Sequence, residues 1–344
     1  MRYVLFSLFS LLLAQSGHAQ EASQEPADDL LKTFNEAKKD ADIEGIRTEK
    51  LEVEVIAEDE LNPQVRYYPR IVKKIQIERL AADSPYVLLP YRPNYVMPFT
   101  WQTRPSNAES RAMLENLTGS SAAAERLPNF DHAEVMFQFS LKYNLAKGVL
   151  GKFSHIDVAY TNRSFWQAYN SDVSSPFRET NHEPELIFSW LVNHDWLDYF
   201  TLTLNHQSNG QSGTMSRSWN RVIASGGWAL PYGIMQAKVW ARLSEDKKKE
   251  PFAAIGDDNP DIEKYLGPGE LYYFYPKGSQ TFSLMVRNNF RQHNKGAFEL
   301  GWSFPLSRHI KGYVQYFNGY GESLIDYNRA QQRIGLGFML SDWL

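Results

Sequence analysis

From residue 129 to the end of the chain, apolar and polar side chains alternate with a period of two. The run 135–144, for example, places Phe137 and Phe139 on one face and Gln138 on the other. Side chains two apart on a β-strand point to the same face of a sheet, so this alternation predicts strands with one apolar and one polar face. The other segments with this pattern are 156–160, 186–192, 200–204, 235–241, 282–286, 298–304, 310–316 and 334–340. With the turn residues between them, they predict roughly ten to twelve antiparallel strands.

The polar face of these strands carries charges of both signs, among them Lys142, Asp157, Lys238, Arg287 and Glu299. A soluble β-sandwich also alternates, but its polar faces point outward and its strands are usually shorter. A barrel with a charged, hydrogen-bonded interior and an apolar outer surface accounts better for strands of about ten residues. The sequence therefore predicts an all-β protein, an antiparallel transmembrane β-barrel with an even number of strands.

The N-terminus has the features of an export signal. Arg2 precedes an apolar run, 3–14, and a small-x-small cleavage site follows at 17–19. The run is too short to cross a bilayer as a helix, although it can also be read as the first strand or helix of the mature protein. The predicted organisation is a signal peptide (1–19), a charged and partly ordered periplasmic extension (20–84) with a short helix at 28–41 and a strand at 50–56, and the barrel (85–344).

Composition excludes several classes of function. The chain has no cysteine, so disulfides, zinc–thiolate sites and cysteine nucleophiles are ruled out. Its net charge of −4 and the lack of a basic stripe argue against nucleic acid as a partner. The sequence also lacks the G-x-S-x-G, H-E-x-x-H and P-loop motifs of common hydrolases and nucleotide enzymes.

The segment 205–221 carries the candidate chemistry. His206 and Ser208 are two residues apart and continue the apolar face of the strand 200–204, so both would contact lipid. A serine hydroxyl becomes a nucleophile when an imidazole takes its proton, and a third group must hold the ring in one tautomer. A short loop after Ser208 can return the chain so that Asn220 stands beside His206 and accepts its N–H. An isolated His-x-Ser pair is also found where an interfacial histidine simply bonds to a loop, and spacing alone leaves both interpretations open.

The loop between Ser208 and Asn220 is rich in hydroxyls and backbone carbonyls. These are hard oxygen ligands that suit calcium. Because an asparagine cannot neutralise an imidazolium by charge, a catalytic site of this kind needs other electrostatic help for the oxyanion.

Six blocks of sequence occur together in the second part of the chain: HQSNGQS at 206–212, SRSWNR at 216–221, SSPFRETN at 174–181, YT at 160–161, DDNPDI at 257–262 and GYGESLIDYN at 319–328. In this combination the sequence resembles the outer membrane phospholipase A family of Gram-negative bacteria. The resemblance extends from about residue 86 to the C-terminus and does not cover the extension before residue 85.

The resemblance implies a twelve-stranded barrel in the bacterial outer membrane, with an active site on its outer surface at the level of the outer leaflet. Ser208 would be the nucleophile, His206 the general base and Asn220 the residue that orients the base. The amide of Gly210 and a calcium-bound water would hold the oxyanion. The implied activity is calcium-dependent hydrolysis of the sn-1 and sn-2 acyl esters of membrane phospholipids and lysophospholipids.

The resemblance also implies a calcium site that is completed in a homodimer. Its ligands would be the Ser216 hydroxyl, the Gln211 carbonyl and Ser174 of a second subunit. Asn162 stands where the family has a glutamine at the dimer interface. Gly213 replaces an aspartate that serves a second calcium site in the family, which puts that second site in doubt here.

Two other functions remain open from the residues alone. A non-catalytic barrel, either a narrow channel or a structural protein, would show no hydrolysis with calcium. A barrel esterase that removes acyl chains from lipid A could also use a lipid-facing His-x-Ser pair. Charges of both signs in the predicted lumen favour a plugged interior over a wide pore.

Overall fold

The computed structural model describes residues 69–342 except 85, 106–110, 112–114, 116–118, 120–129, 195, 251–255 and 308. The predicted signal peptide, the helix at 28–41 and the strand at 50–56 lie outside the described residues. The boundary between extension and barrel at residues 84 and 85 therefore stays a prediction.

Within these residues the regular secondary structure is almost all β. The helices are α1 (Pro69–Ala82) and α2 (Glu263–Leu266), with 3-10 turns at Ser171–Val173 and Gly213–Met215. The strands are β1 (Leu88–Pro90), β2 (Asn94–Gln102), β3 (Ala133–Lys147), β4 (Ser154–Trp166), β5 (Phe177–His194), β6 (Leu197–Ser208), β7 (Ser218–Leu230), β8 (Gly233–Leu243), β9 (Gly269–Lys277), β10 (Gln280–Asn288), β11 (Gly296–Pro305), β12 (Lys311–Gly319) and β13 (Gln331–Ser341).

Strands β2 to β13 form a closed barrel of twelve antiparallel strands. Each pairs with its neighbours in sequence, and β13 pairs with β2 to close the ring. The short strand β1 pairs with β3 and continues the line of β2 after a break at 91–93. A closed sheet leaves no unpaired edge, which is the condition for a sheet to cross a bilayer. The predicted fold class is confirmed. None of the described helices is long and apolar enough to span a membrane.

The alternation of faces is present as predicted. In β3, Met136 and Gln138 are buried inside the barrel, whereas Phe139 and Leu141 are each 44% exposed on the outside. The same alternation runs through the whole of β7. The barrel therefore presents an apolar outer surface and a polar interior, as a transmembrane barrel does.

Paired charges fill much of the interior. Arg178 lies 2.9 Å from Glu134 and 2.6 Å from Asp326, and Arg333 lies 2.7 Å from Glu134 and 2.6 Å from Glu322. A buried charge is tolerated when a partner neutralises it, and losing one partner is costly. The lumen is thus packed with ion pairs across strands.

The two ends of the barrel differ in the length of their connections. Short turns at 148–153, 231–232 and 278–279 connect strands at one end, and the long segments 103–132 and 244–268 connect strands at the other. Barrels of the outer membrane have short periplasmic turns and longer extracellular loops. The loop 209–217, which follows Ser208, belongs to the extracellular end.

Helix α1 lies at the end with the short turns and contacts β3 and β1. The Glu78 carboxylate is 3.0 Å from the Lys142 ammonium group of β3. Burial alone would raise the pKa of Glu78, but the charges of Lys142 and Lys74 outweigh it and lower the pKa. This part of the predicted extension is therefore helical and joined to the barrel by an ion pair.

Candidate active site

The register of β6 and β7 brings the predicted base and its orienting residue together. His206 is directly opposite Asn220 in this antiparallel pair, and Ser208 is opposite Ser218. The His206 Nδ1 lies 2.8 Å from the Asn220 Oδ1. Since an amide oxygen only accepts, Nδ1 carries the proton and Nε2 keeps its lone pair. The ring is thus held in the tautomer that can take a proton from a hydroxyl.

His206 and Ser208 stand on the outer face of the barrel. They follow Leu202 and Leu204, which are 37% and 46% exposed on that face. Gln207, between them, points inward and accepts a hydrogen bond from the Trp219 indole at 2.8 Å. Both candidate side chains are half-buried, and the Ser208 hydroxyl makes no hydrogen bond with any described residue. The structure therefore places the pair on the predicted face.

Asn209 organises the loop that follows the serine. Its Oδ1 accepts the backbone N–H of Arg217 at 2.9 Å and that of Gln211 at 3.3 Å, and its Nδ2 donates to the Met215 carbonyl at 2.9 Å. Gly210 adopts φ +63, a left-handed conformation that favours glycine. These contacts hold the loop beside Ser208 without using the Ser208 hydroxyl.

A second imidazole lies next to the serine. His182 on β5 is opposite Ser208, and its Nε2 is 3.6 Å from the point where a Cβ on Gly210 would lie. Its Nδ1 is 2.6 Å from the Tyr160 hydroxyl and 3.4 Å from the Asn162 Nδ2. Sequence reasoning missed His182, because only strand register shows that a residue 26 positions upstream faces the serine. Asn162, the predicted interface residue, is half-buried on the outer side of β4.

The predicted calcium ligand Ser216 donates its hydroxyl to the Asp258 carboxylate at 2.7 Å. The Ser218 hydroxyl donates to the same carboxylate oxygen at 3.0 Å, and the Lys248 ammonium pairs with the other oxygen. Asp258 belongs to the sequence block 257–262, and the fold brings it to the loop that follows Ser208. Asp258 therefore joins the two serines, and Lys248 balances its charge.

The other two predicted ligands occupy separate turns. Gln211 is exposed in the same loop as Ser216, whereas Ser174 is exposed in a left-handed turn between β4 and β5, with φ 59. Within one chain the described contacts do not join Ser174 to Ser216 or Gln211. The predicted donors are hydroxyl and carbonyl oxygens, which are hard ligands of the kind calcium takes, so the residues fit this ion.

Comparison with known proteins assigns the family. The model of the phospholipase A1 family matches residues 71–340. The chain belongs to the phospholipase A1 family. Phospholipase A1 of Escherichia coli K12 is 36% identical over 269 residues, which are 76% of this chain and 83% of the relative. Phospholipase A1 of Proteus vulgaris is 39% identical over 266 residues, with the same shares of both chains.

Solved structures of the family share the fold. Outer membrane phospholipase A from Escherichia coli matches with a TM-score of 0.65 and 35% identity, covering 75% of this chain and 100% of that one. Two other solved structures give the same TM-score and identity. One is the Escherichia coli protein as an active-site mutant, with an asparagine changed to alanine, and the other is the Salmonella typhi protein, solved as a dimer with bound calcium. They cover 76% and 75% of this chain and 95% and 94% of the solved chains.

The chain is therefore a phospholipase of the bacterial outer membrane, and the predicted family, enzyme class and location are confirmed. Membership of an enzyme family argues against the non-catalytic barrel.

Proposed function

We propose that this phospholipase hydrolyses the sn-1 and sn-2 acyl esters of phospholipids and lysophospholipids through a Ser208, His206 and Asn220 triad on its lipid-facing surface. The observation that carries the proposal is the 2.8 Å bond between His206 Nδ1 and Asn220 Oδ1, two residues from a serine on the same outer face. The Escherichia coli relative, in which an asparagine change is an active-site mutation, supports an asparagine in this role.

The chain's own groups can perform the acyl transfer. His206 Nε2 takes the proton of Ser208 as the hydroxyl oxygen attacks the ester carbonyl carbon, and the carbonyl π electrons move to the oxygen. As the tetrahedral intermediate collapses, His206 returns that proton to the departing glycerol oxygen, and the acyl chain stays on Ser208. A water molecule then repeats the sequence with the same base, releasing a fatty acid and restoring the serine. Asn220 keeps the proton on Nδ1 and the ring in one orientation throughout.

The oxyanion needs stabilisation, because an asparagine adds no charge to the triad. The backbone amide of Gly210 would donate to it. Calcium, bound by the Ser216 hydroxyl, the Gln211 carbonyl and Ser174 of the partner subunit, would supply positive charge at that place. The related Salmonella typhi enzyme, solved as a dimer with bound calcium, supports this arrangement. A second calcium ion is not proposed, since Gly213 offers no carboxylate.

The experiment for the substrate uses purified full-length protein and phospholipids carrying a distinguishable acyl chain at each position. In mixed micelles with calcium, we expect release of both chains and further hydrolysis of the lysophospholipid. Lipid A presented in the same micelles should keep its acyl chains. Release from lipid A alone, or no release from any lipid, would reject the proposed substrate.

The dimer would form through the outer face that carries Asn162. This face is apolar, with Val158 at 38% and Tyr160 at 47% exposed. Chemical crosslinking in detergent with calcium and a substrate analogue should trap a dimer, and Asn162→Ala should reduce its yield several-fold. Asn318→Ala, an outward amide on the distant strand β12, is the matched control. An equal yield for both variants would place the interface elsewhere.

A further inference from the structure

Behind the triad stands a carboxylate that the mechanism above does not use. The Asn220 amide bonds at both ends: its Oδ1 accepts from His206 at 2.8 Å, and its Nδ2 donates to the Glu245 Oε1 at 2.8 Å. The bonds therefore form a continuous chain, carboxylate to amide to imidazole, that ends two residues from Ser208.

The barrel's register explains how the glutamate reaches the asparagine. His206 is on β6 and Asn220 on β7, and Asn220 is directly opposite Leu243, the last residue of β8. Glu245 follows two residues later, just beyond the end of β8, and its long side chain reaches back to the Asn220 amide. Strands β6 and β7 and the segment that follows β8 thus contribute one group each.

The two groups bonded to the Asn220 amide, the Glu245 carboxylate and the His206 ring, decide which way the amide is oriented. An ionised carboxylate can only accept, so Glu245 must face the Asn220 NH₂ group. The amide oxygen then faces His206, and the imidazole must place its proton on Nδ1. Without Glu245 the amide could rotate and present NH₂ to the ring, which would favour the tautomer that cannot act as base.

The carboxylate also contributes charge. Among the described residues Glu245 has no ion-pair partner, and Asn220 is its hydrogen-bond partner. A charged acceptor polarises the amide to which it is bonded, and linked hydrogen bonds strengthen one another in surroundings of low dielectric constant. The Asn220 oxygen therefore becomes a better acceptor when His206 becomes an imidazolium.

We propose that Glu245 is a positioning residue of this enzyme, which locks the Asn220 amide and adds to the triad the negative charge that asparagine lacks. The inference rests on the proposed function of Ser208, His206 and Asn220. It extends the Ser–His–Asn arrangement to four members, with Glu245 acting on the ring through the amide and touching neither substrate nor nucleophile.

The test is a double-mutant cycle on the full-length protein. Its variants are Glu245→Ala, Asn220→Ala and the two combined, with Glu250→Ala, an exposed glutamate of the same segment, as control. The readouts are kcat and KM on phospholipid micelles with calcium, and the rate at which a long-chain sulfonyl fluoride labels Ser208. Faster migration of unheated than heated protein in a detergent gel confirms that each variant is folded.

Glu245→Ala should lower kcat and the labelling rate about tenfold and leave KM unchanged. A tenfold loss corresponds to the free energy of one hydrogen bond to a charged group. Asn220→Ala should lower both about 100-fold. The double variant should equal Asn220→Ala alone, because Glu245 acts only through that amide. Glu245→Gln, which can still accept but has no charge, should recover part of the loss.

Two results would overturn the inference alone: Glu245→Ala as active as Glu250→Ala, or losses that multiply in the double variant. A different result concerns the triad. If the wild type is not labelled at Ser208 while Ser208→Ala hydrolyses phospholipid as well as the wild type, the proposed function fails and this inference fails with it.

Discussion

Replacing Ser208 with alanine is expected to lower phospholipid hydrolysis by at least about 10⁴-fold, the scale of loss when a serine nucleophile is removed. The acyl chain would have no oxygen to which it can transfer. In the proposed mechanism, neither His206 nor His182 replaces the serine as the nucleophile. The Ser208 hydroxyl bonds to no described residue, so the barrel should fold as before. Initial rates on phospholipid micelles with saturating calcium measure the loss.

Ser279→Ala is a matched control for this experiment. Ser279 is an exposed serine in the turn between β9 and β10, at the end of the barrel with the short turns. Its variant should keep wild-type activity, and both variants should show the heat-dependent change in gel migration of a folded barrel. Hydrolysis by Ser208→Ala within tenfold of the wild type would refute the nucleophile assignment.

Removing calcium is expected to reduce hydrolysis by at least about 100-fold, the effect of losing one group that stabilises an oxyanion. The proposed ligands are neutral oxygens, which leave the site dependent on the ion for positive charge. A chelator selective for calcium should abolish most activity of the purified enzyme, and added calcium should restore it. The fold should persist in chelator, because the interior ion pairs do not involve the site.

Two neighbouring serines allow calcium binding by Ser216 to be tested separately from its contact with Asp258. The Ser216 and Ser218 hydroxyls donate to the same oxygen of Asp258, at 2.7 and 3.0 Å, but only Ser216 is a proposed ligand. Ser216→Ala should raise the calcium concentration needed for half-maximal activity and for half-maximal crosslinking of the dimer at least tenfold. Ser218→Ala should change either value by less than threefold. Equal shifts in the two variants would mean that the Asp258 contact, rather than ligation by Ser216, matters for calcium.

The position of the site determines how substrate can reach it. Ser208 continues an outer face whose preceding members, Leu202 and Leu204, are exposed to the bilayer. A lipid can therefore approach sideways with its chains still in the hydrocarbon, and no water-filled cleft has to bind it. The apolar surface needed to hold an acyl chain would come from this face and from a second barrel, and dimer formation would then contribute directly to activity.

Most of the barrel could be predicted from the sequence, because lipid on one side and a polar lumen on the other constrain every second residue of a strand. Three strands, β2, β7 and β9, were not predicted from alternation, although the sequence placed the start of β7 at Asn220. β9 carries aromatic residues on both faces, with Tyr272 and Phe274 inside and Tyr273 and Tyr275 outside, so its alternation is hidden. In β7 the inward set includes Trp219 and Ile223, whose apolar character resembles that of the outward Val222.

The relation between His206 and Ser208 was also set by the sequence alone, since residues two apart on a strand share a face whatever the rest of the fold. Bringing Asn220 opposite His206 required only a hairpin, and the sequence suggested it.

The groups around this pair depend on tertiary structure. His182 faces Ser208 through strand register. From the segment 244–268, Glu245 reaches Asn220 and Asp258 reaches Ser216. These residues are 25 to 42 positions from their partners, and no local periodicity encodes such contacts. The register between neighbouring strands decides the first of these contacts and the path of a long loop decides the other two.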